Sequence, residues 1–152
     1  MVMLMLAAGC SPRNLISWGS GWTATAVGKT PAGKDVVYVV SKKGEVVALD
    51  ATNGRILELD GAIDGRHEWR VLLDEGHNVF GEPVIGDKYI YIGDKGARSG
   101  EEATLYAINS GDSARRWARR VGGPIIGGPT LGDGLVFVGS DDGNLHAFGE
   151  ET

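Results

Sequence analysis

Apolar residues in this chain come in short bursts that alternate with polar ones, and the bursts end at glycine. "VVYVVSKKGEVVALD" (36–50) is two alternating runs around a polar turn, and "LVFVGSDDGNLHAF" (135–148) repeats the design. "YIYIGDKGARSGEEATLYAIN" (89–109) is a third copy with a longer turn. A period of two marks a half-buried strand, and a glycine-bearing turn between two such runs marks a hairpin. The pattern predicts three β-hairpins, with Gly44 and Gly143 in the left-handed conformation that a tight loop requires.

The hairpins belong to a longer repeat. Their lead-ins, "NVFGEPVIGDKYIY" (78–91) and "PIIGGPTLGDGLVF" (124–137), match position for position. "WTATAVGKTPAGKDVVY" (22–38) is a looser copy with four extra residues. Each unit thus supplies a lead-in strand, a hairpin, and a closing strand near a Trp. Four strands in roughly 40–50 residues is the spacing of a propeller blade. The blades fall at about 22–73, 79–120 and 124–152, and residues 13–18 complete the last one. The 25 glycines among 152 residues suit many tight turns, and the chain lacks the G-X-Y period of collagen.

Two phrases inside the repeats, "ALDATNGRILE" (48–58) and "AINSGDSARRW" (107–117), carry a resemblance. They resemble the Ala-x-Asp-x-x-Thr-Gly-Lys-x-x-Trp motif of PQQ-like (quinoprotein-type) β-propellers. Ala48, Asp50, Gly54 and Arg55 match in the first copy; Ala107, Asn109 and Trp117 match in the second; Ala147 stands at the Ala position of the third. "DGRHEW" (64–69) puts Trp69 on the Trp position, which places an insertion at 54–63. The motif reads as structural. The small Ala leaves room for a Trp from a neighbouring blade, the Asp or Asn accepts bonds from the turn backbone, and Gly takes the left-handed position. At the ends, Thr152 falls on the motif's Thr position, while Asn14 and Trp18 of "NLISW" fall on its Gly and Trp positions. The expected fold is all-β: a partial β-propeller of about three four-stranded PQQ-like blades. Propellers use roughly 4–8 blades. The chain is therefore read as a fragment or shortened form of a larger propeller of about six to eight blades, with a homodimer closing the ring as the alternative.

A formal net charge of −5 argues against a nucleic-acid surface, which needs clustered cations. The one basic cluster, Arg115, Arg116, Arg119 and Arg120, reads as a solvated outer strand. The N-terminal "MVMLMLAAGCS" is too short an apolar run to span a bilayer and suits a cleavable signal peptide over 1–10. Its "AAGC" end resembles a bacterial lipobox, which makes Cys10 the lipid attachment site. Ala7 replaces the usual Leu and no Lys or Arg precedes the run, so an ordinary apolar N-terminus is the alternative reading.

Reactive chemistry is sparse. "GWTATAVGKT" (21–30) lacks the first Gly of a phosphate loop, and "GGPIIGG" (122–128) opens no expected helix. His67, His77 and His146 are not at metal-ligand spacing, and "GSDDGN" (139–144) lacks the distal Glu of a calcium loop. Glu82 is the polar oddity, read either as facing the central channel from an inner strand or as a charged residue at a strand end in solvent. Quinoprotein dehydrogenases of the resembled family hold their quinone under an adjacent Cys–Cys disulfide and beside a calcium. The single Cys here leads to the expectation of no catalytic residue, no metal and no bound PQQ. The resemblance implies instead a non-enzymatic, lipid-anchored scaffold at the periplasmic face of the outer membrane, or in the periplasm, similar to the family's outer-membrane barrel-assembly lipoproteins. Its partners would be envelope proteins. A fragment of a quinoprotein dehydrogenase and a ligand-binding sensor are the alternatives.

Overall fold

The computed structural model describes residues 21–63, 66–98 and 101–151. In chain order the first sheet starts with β1 (Trp22–Lys29), β2 (Asp35–Ser41) and β3 (Glu45–Asp50). A small hairpin of β4 (Glu58–Ile63) and β5 (Arg66–Glu68) follows, and β6 (Arg70–Leu72) then returns to pair with β3. The second sheet is β7 (Val84–Ile85), β8 (Tyr89–Gly93), β9 (Ala103–Asn109) and β10 (Arg115–Val121), in that spatial order. The third is β11 (Thr130–Gly132), β12 (Leu135–Gly139) and β13 (Leu145–Gly149). The 13–18 segment expected to complete it lies outside the described residues.

The repeat is visible in the register. Tyr38 pairs with Ala48, Tyr91 with Ala107, and Phe137 with Ala147. Gly44 and Gly143 turn their hairpins at φ of 80° and 86°, where a side chain would be strained. The Val- and Ile-rich strands suit a pleated surface that is packed on both faces.

Period two then distributes each strand between two neighbours. In the second sheet Ile90 and Ile92 point to the first sheet, where they join Tyr38, Val40 and Val46. Tyr91 and Leu105 point the other way and pack with Val136 and Val138 of the third sheet. The sheets thus stack face to face in sequence order, as wedges of an all-β partial propeller.

First strands of successive sheets approach closely. A Cβ on Gly28 would lie 2.8 Å from Ile85 Cδ1. The following linkers come closer still: a Cβ on Gly81 would meet the Gly127 carbonyl oxygen at 2.4 Å, and one on Gly128 would meet the Glu82 carbonyl oxygen at 2.7 Å. The repeated Gly-x-Pro of the lead-ins (81–83 and 127–129) therefore sets the backbone-to-backbone distance between wedges.

The insertion in the first sheet is placed differently from the sequence expectation. Residues 50–55 form the motif turn itself, with Gly54 donating its amide to the Asp50 carbonyl at φ 71°. The closing strand begins at Ile56–Leu57, departs through β4 and β5, and resumes at Trp69, whose amide bonds the Leu57 carbonyl. The excursion is 58–68 rather than 54–63. Two similar phrases, "TNG" (52–54) and "IDG" (63–65), sit eleven residues apart, and the first belongs to the motif turn.

Candidate interaction surface

Motif residues build the junctions between sheets. Trp69 Nε1 donates to the Ser110 carbonyl at 2.9 Å, and the Tyr38 hydroxyl donates to the same oxygen at 3.2 Å. The next junction repeats this: Trp117 Nε1 and the Tyr91 hydroxyl both donate to the Glu150 carbonyl, at 3.1 and 3.2 Å. A carbonyl has two lone pairs, so one oxygen can serve both donors. Tyr38 and Trp69 meet edge to face with centroids 5.0 Å apart; Tyr91 and Trp117 lie tilted at 5.8 Å. Burial pushes the Tyr38 phenol up to about 12, with the Ser110 bond opposing, so it remains a donor at any physiological pH.

The alanines play a different part from the one expected. Ala107 pairs with Trp117 across β9 and β10, and the Ala48 amide bonds the Trp69 carbonyl. Each Trp therefore sits opposite the Ala of its own sheet and reaches forward to the next sheet, instead of arriving from a neighbour. A small side chain there leaves the ring room to lie along the sheet. Ala147 stands in the same register on β13 but is exposed.

The acidic motif positions organise turns. Asp50 accepts from the Thr52 amide at 2.8 Å and from its hydroxyl, which together hold the Asp50 carboxyl down at about 2. Asn109 accepts from the Gly111 amide at 2.8 Å. Ser113 takes the place of Gly54 in the second turn, with φ 62°. Cys10 lies outside the described residues.

One polar centre had no sequence signal beyond a turn residue. Asp94, fully buried, accepts from the Gly96 and Thr104 amides at 2.8 and 2.9 Å through one oxygen. Its other oxygen meets the Tyr106 hydroxyl at 2.7 Å and His77 Nδ1 at 2.6 Å. It thereby ties the linker after β6 to the long β8–β9 turn. Burial and the Asp94 carboxylate both push the Tyr106 phenol up. In the third sheet His146 bonds Asp142 at 2.8 Å and stacks on Phe148. Burial raises the Asp142 carboxyl, but bonds from Asn144, His146 and Gly122 outweigh it and bring it to about 2.

These bonds fix the end of the molecule formed by the β2–β3 and β8–β9 turns and the two linkers. Phe80 and Ile126, each just before the first Gly of Gly-x-Pro, stand exposed there at 40% and 49%. Lys42 and Lys95 place their ammonium groups 5.4 and 5.2 Å from the Phe80 ring centroid. Glu82 and all four arginines of β10 are exposed. Among the described residues no three His, Cys, Asp or Glu side chains gather as a metal site would require.

The chain is similar to known proteins. A family model described as outer membrane protein assembly factor BamB matches residues 58–152. Two curated proteins of that description are similar: one from Yersinia pestis is 28% identical over 117 residues, and one from Salmonella typhimurium (strain LT2) is 29% identical over 108. These alignments cover 75% and 66% of this chain but only 27% and 23% of the relatives' own lengths. The solved structure of BamB from Moraxella catarrhalis is 20% identical, covering 86% of this chain and 47% of that one, with a TM-score of 0.40.

Proposed function

This chain belongs to the family described as outer membrane protein assembly factor BamB, and we propose that it is a non-enzymatic PQQ-like propeller scaffold of the bacterial cell envelope. It would act in outer-membrane protein assembly by binding other envelope proteins. The match of the family model over 58–152 carries this reading.

Physical features support it. The motif residues Trp69, Trp117, Asp50 and Asn109 are spent on junctions and turns, which leaves them no reactive role. Two kinds of surface suit protein partners. One is the rigid end carrying Phe80 and Ile126; the other is the outer edge of β13. That edge is taken by β6 and β10 in the first two sheets; on β13 no strand pairs with it among the described residues, and its backbone groups suit strand addition. Lipidation at Cys10 would hold the scaffold at the periplasmic face of the outer membrane; two or more acyl chains make such an anchor durable.

Affinity purification of the tagged chain from envelope extract tests the reading. Components of the outer-membrane assembly machinery should copurify, and Cys10→Ala should move the protein to the soluble fraction without abolishing that association. Saturable quenching of Trp fluorescence by PQQ with calcium, in a chain that copurifies with no assembly component, would overturn it.

A further inference from the structure

We propose that the Phe80–Ile126 shoulder, with Lys42 and Lys95 beside it, docks an acidic, apolar-bearing segment of a protein partner. The proposal rests on the scaffold reading and names the face that does the binding.

Phe80 and Ile126 are equivalent positions of two repeats, three residues before Pro83 and Pro129. The backbones that follow them touch, which sets both positions at the same end of the fold. Gly81 lies against the Gly127 carbonyl so closely that a Cβ there would sit 2.4 Å from it. The Val79 amide bonds the Lys42 carbonyl at 3.0 Å and the Lys95 amide bonds the Asn78 carbonyl at 2.9 Å, so linker and both turns form one frame. Two apolar side chains left half out of water on so fixed a backbone lose little conformational freedom when covered.

Charge selects the occupant. Among the described residues neither Lys42 nor Lys95 has a carboxylate within 4.0 Å; both lie over the Phe80 ring instead. Exposed Lys43 adds a third cation, in the same turn as Lys42. The chain as a whole carries −5, and in its other basic patch, the exposed arginines of β10, Arg115 and Arg120 are already paired with Asp74 and Glu102, so an acidic segment is drawn here in preference. Carboxylates of the partner would bridge the two ammonium groups while its apolar side chains cover Phe80 and Ile126. An anionic bilayer is the poorer occupant. Polybasic lipid sites use about 4–8 Lys or Arg, and three lysines, Lys42, Lys43 and Lys95, gather here.

The test is an NMR titration of the isotope-labelled full chain with a synthetic peptide alternating Glu and Leu. A Lys-for-Glu peptide is the control, and phosphatidylglycerol vesicles are the lipid arm. Amide shifts should map to Lys42, Phe80, Lys95 and Ile126, and added salt should weaken them. Lys42→Glu with Lys95→Glu, and separately Phe80→Ser, should each weaken binding by about tenfold; a parental melting curve for these surface variants shows that folding is intact. Shifts that map elsewhere, equal binding of the Lys peptide, or vesicle binding without Glu–Leu peptide binding would each overturn the proposal. Peptide binding here by a chain that fails to copurify with assembly components would sink the scaffold reading and leave this surface standing.

Discussion

The second and third sheets are written from one phrase and end in different surroundings. Ala107 and Ala147 hold the same register, opposite Tyr91 and Phe137, yet Ala107 is fully buried and Ala147 is exposed. Six of the seven residues of β9 are buried; none of the five in β13 is. Local sequence does not produce this contrast, since both strands alternate and both are apolar. Position in the stack does. β9 has β10 along its edge and the third sheet against its face, whereas Leu145 of β13 is 72% exposed. Fully burying such a Leu would contribute about 1.5–3 kcal/mol. The repeat encodes a wedge for two neighbours, and the third sheet realises one of them among the described residues.

The largest test of that contrast lies in the tryptophans. Trp69 is fully buried where the first sheet meets the second, while Trp117 keeps 7% exposure where the second meets the third. Trp69→Ala should cost about 3–5 kcal/mol, enough to unfold a marginal domain, and Trp117→Ala should fall at the low end of that range. Urea denaturation of both variants decides the order. A Trp117 variant that is the weaker of the two would show the second junction to be the more tightly built.

The two hub positions come next. Asp94 and Ser140 begin equivalent hairpin turns, but Asp94 accepts four bonds at full burial, and Ser140 is half-buried, accepting the Asp142 amide and donating to the Gly123 carbonyl. Asp94→Asn replaces an acceptor oxygen by a donor amide that faces other donors. It should cost about 2–4 kcal/mol, against about 1 for Ser140→Ala. Thermal melts with hydrogen exchange at Gly96 and Thr104 would locate the loss. Unchanged protection at those two amides in Asp94→Asn would remove Asp94 from its role.

What the sequence could show divides along the same physical line. Alternation and turn glycines are local, so the hairpins, their register and the repeat were legible, as in Tyr38–Ala48 and Phe137–Ala147. The junction acceptors were not, because Ser110 and Glu150 contribute backbone carbonyls that any residue would supply. Asp94 read as one more polar turn residue, since the fold alone brings His77 and Tyr106 to it across 17 and 12 positions. In the sequence nothing sets Gly81 and Gly128 apart from the other glycines. Only the packed linkers reveal that a Cβ has no space there.

A smaller effect bears on the contrast most directly. Ala107 faces Tyr91 and Trp117 inside a filled junction, so Ala107→Val should overpack it by about 1–3 kcal/mol. Ala147→Val should change stability by no more than about 0.5 kcal/mol, as exposed substitutions do. Equal costs at both positions would mean that a neighbour covers the outer face of the third sheet in solution. Repeating the melt at several protein concentrations would then distinguish a second copy, whose contribution falls on dilution, from cover supplied within the chain.

The last expected effect has the opposite sign, and it compares the motif turns of the first two sheets. Gly54 and Ser113 both adopt positive φ, 71° and 62°, but Gly54 is exposed and Ser113 is 1% exposed with no bond to its hydroxyl among the described residues. A left-handed serine carries about 1–2 kcal/mol of backbone strain. An unpaired buried hydroxyl adds about 1–3 kcal/mol. Glycine removes both and returns up to about 1 kcal/mol in unfolded-chain entropy. Ser113→Gly should therefore stabilise the protein by at least about 1 kcal/mol, and Gly54→Ser, which gains strain without a burial term, should destabilise it by about 1 kcal/mol. Denaturation midpoints at unchanged slope give the two numbers. A destabilised Ser113→Gly variant would mean that the hydroxyl holds a bond, to water or to a partner, that outweighs the strain of its backbone.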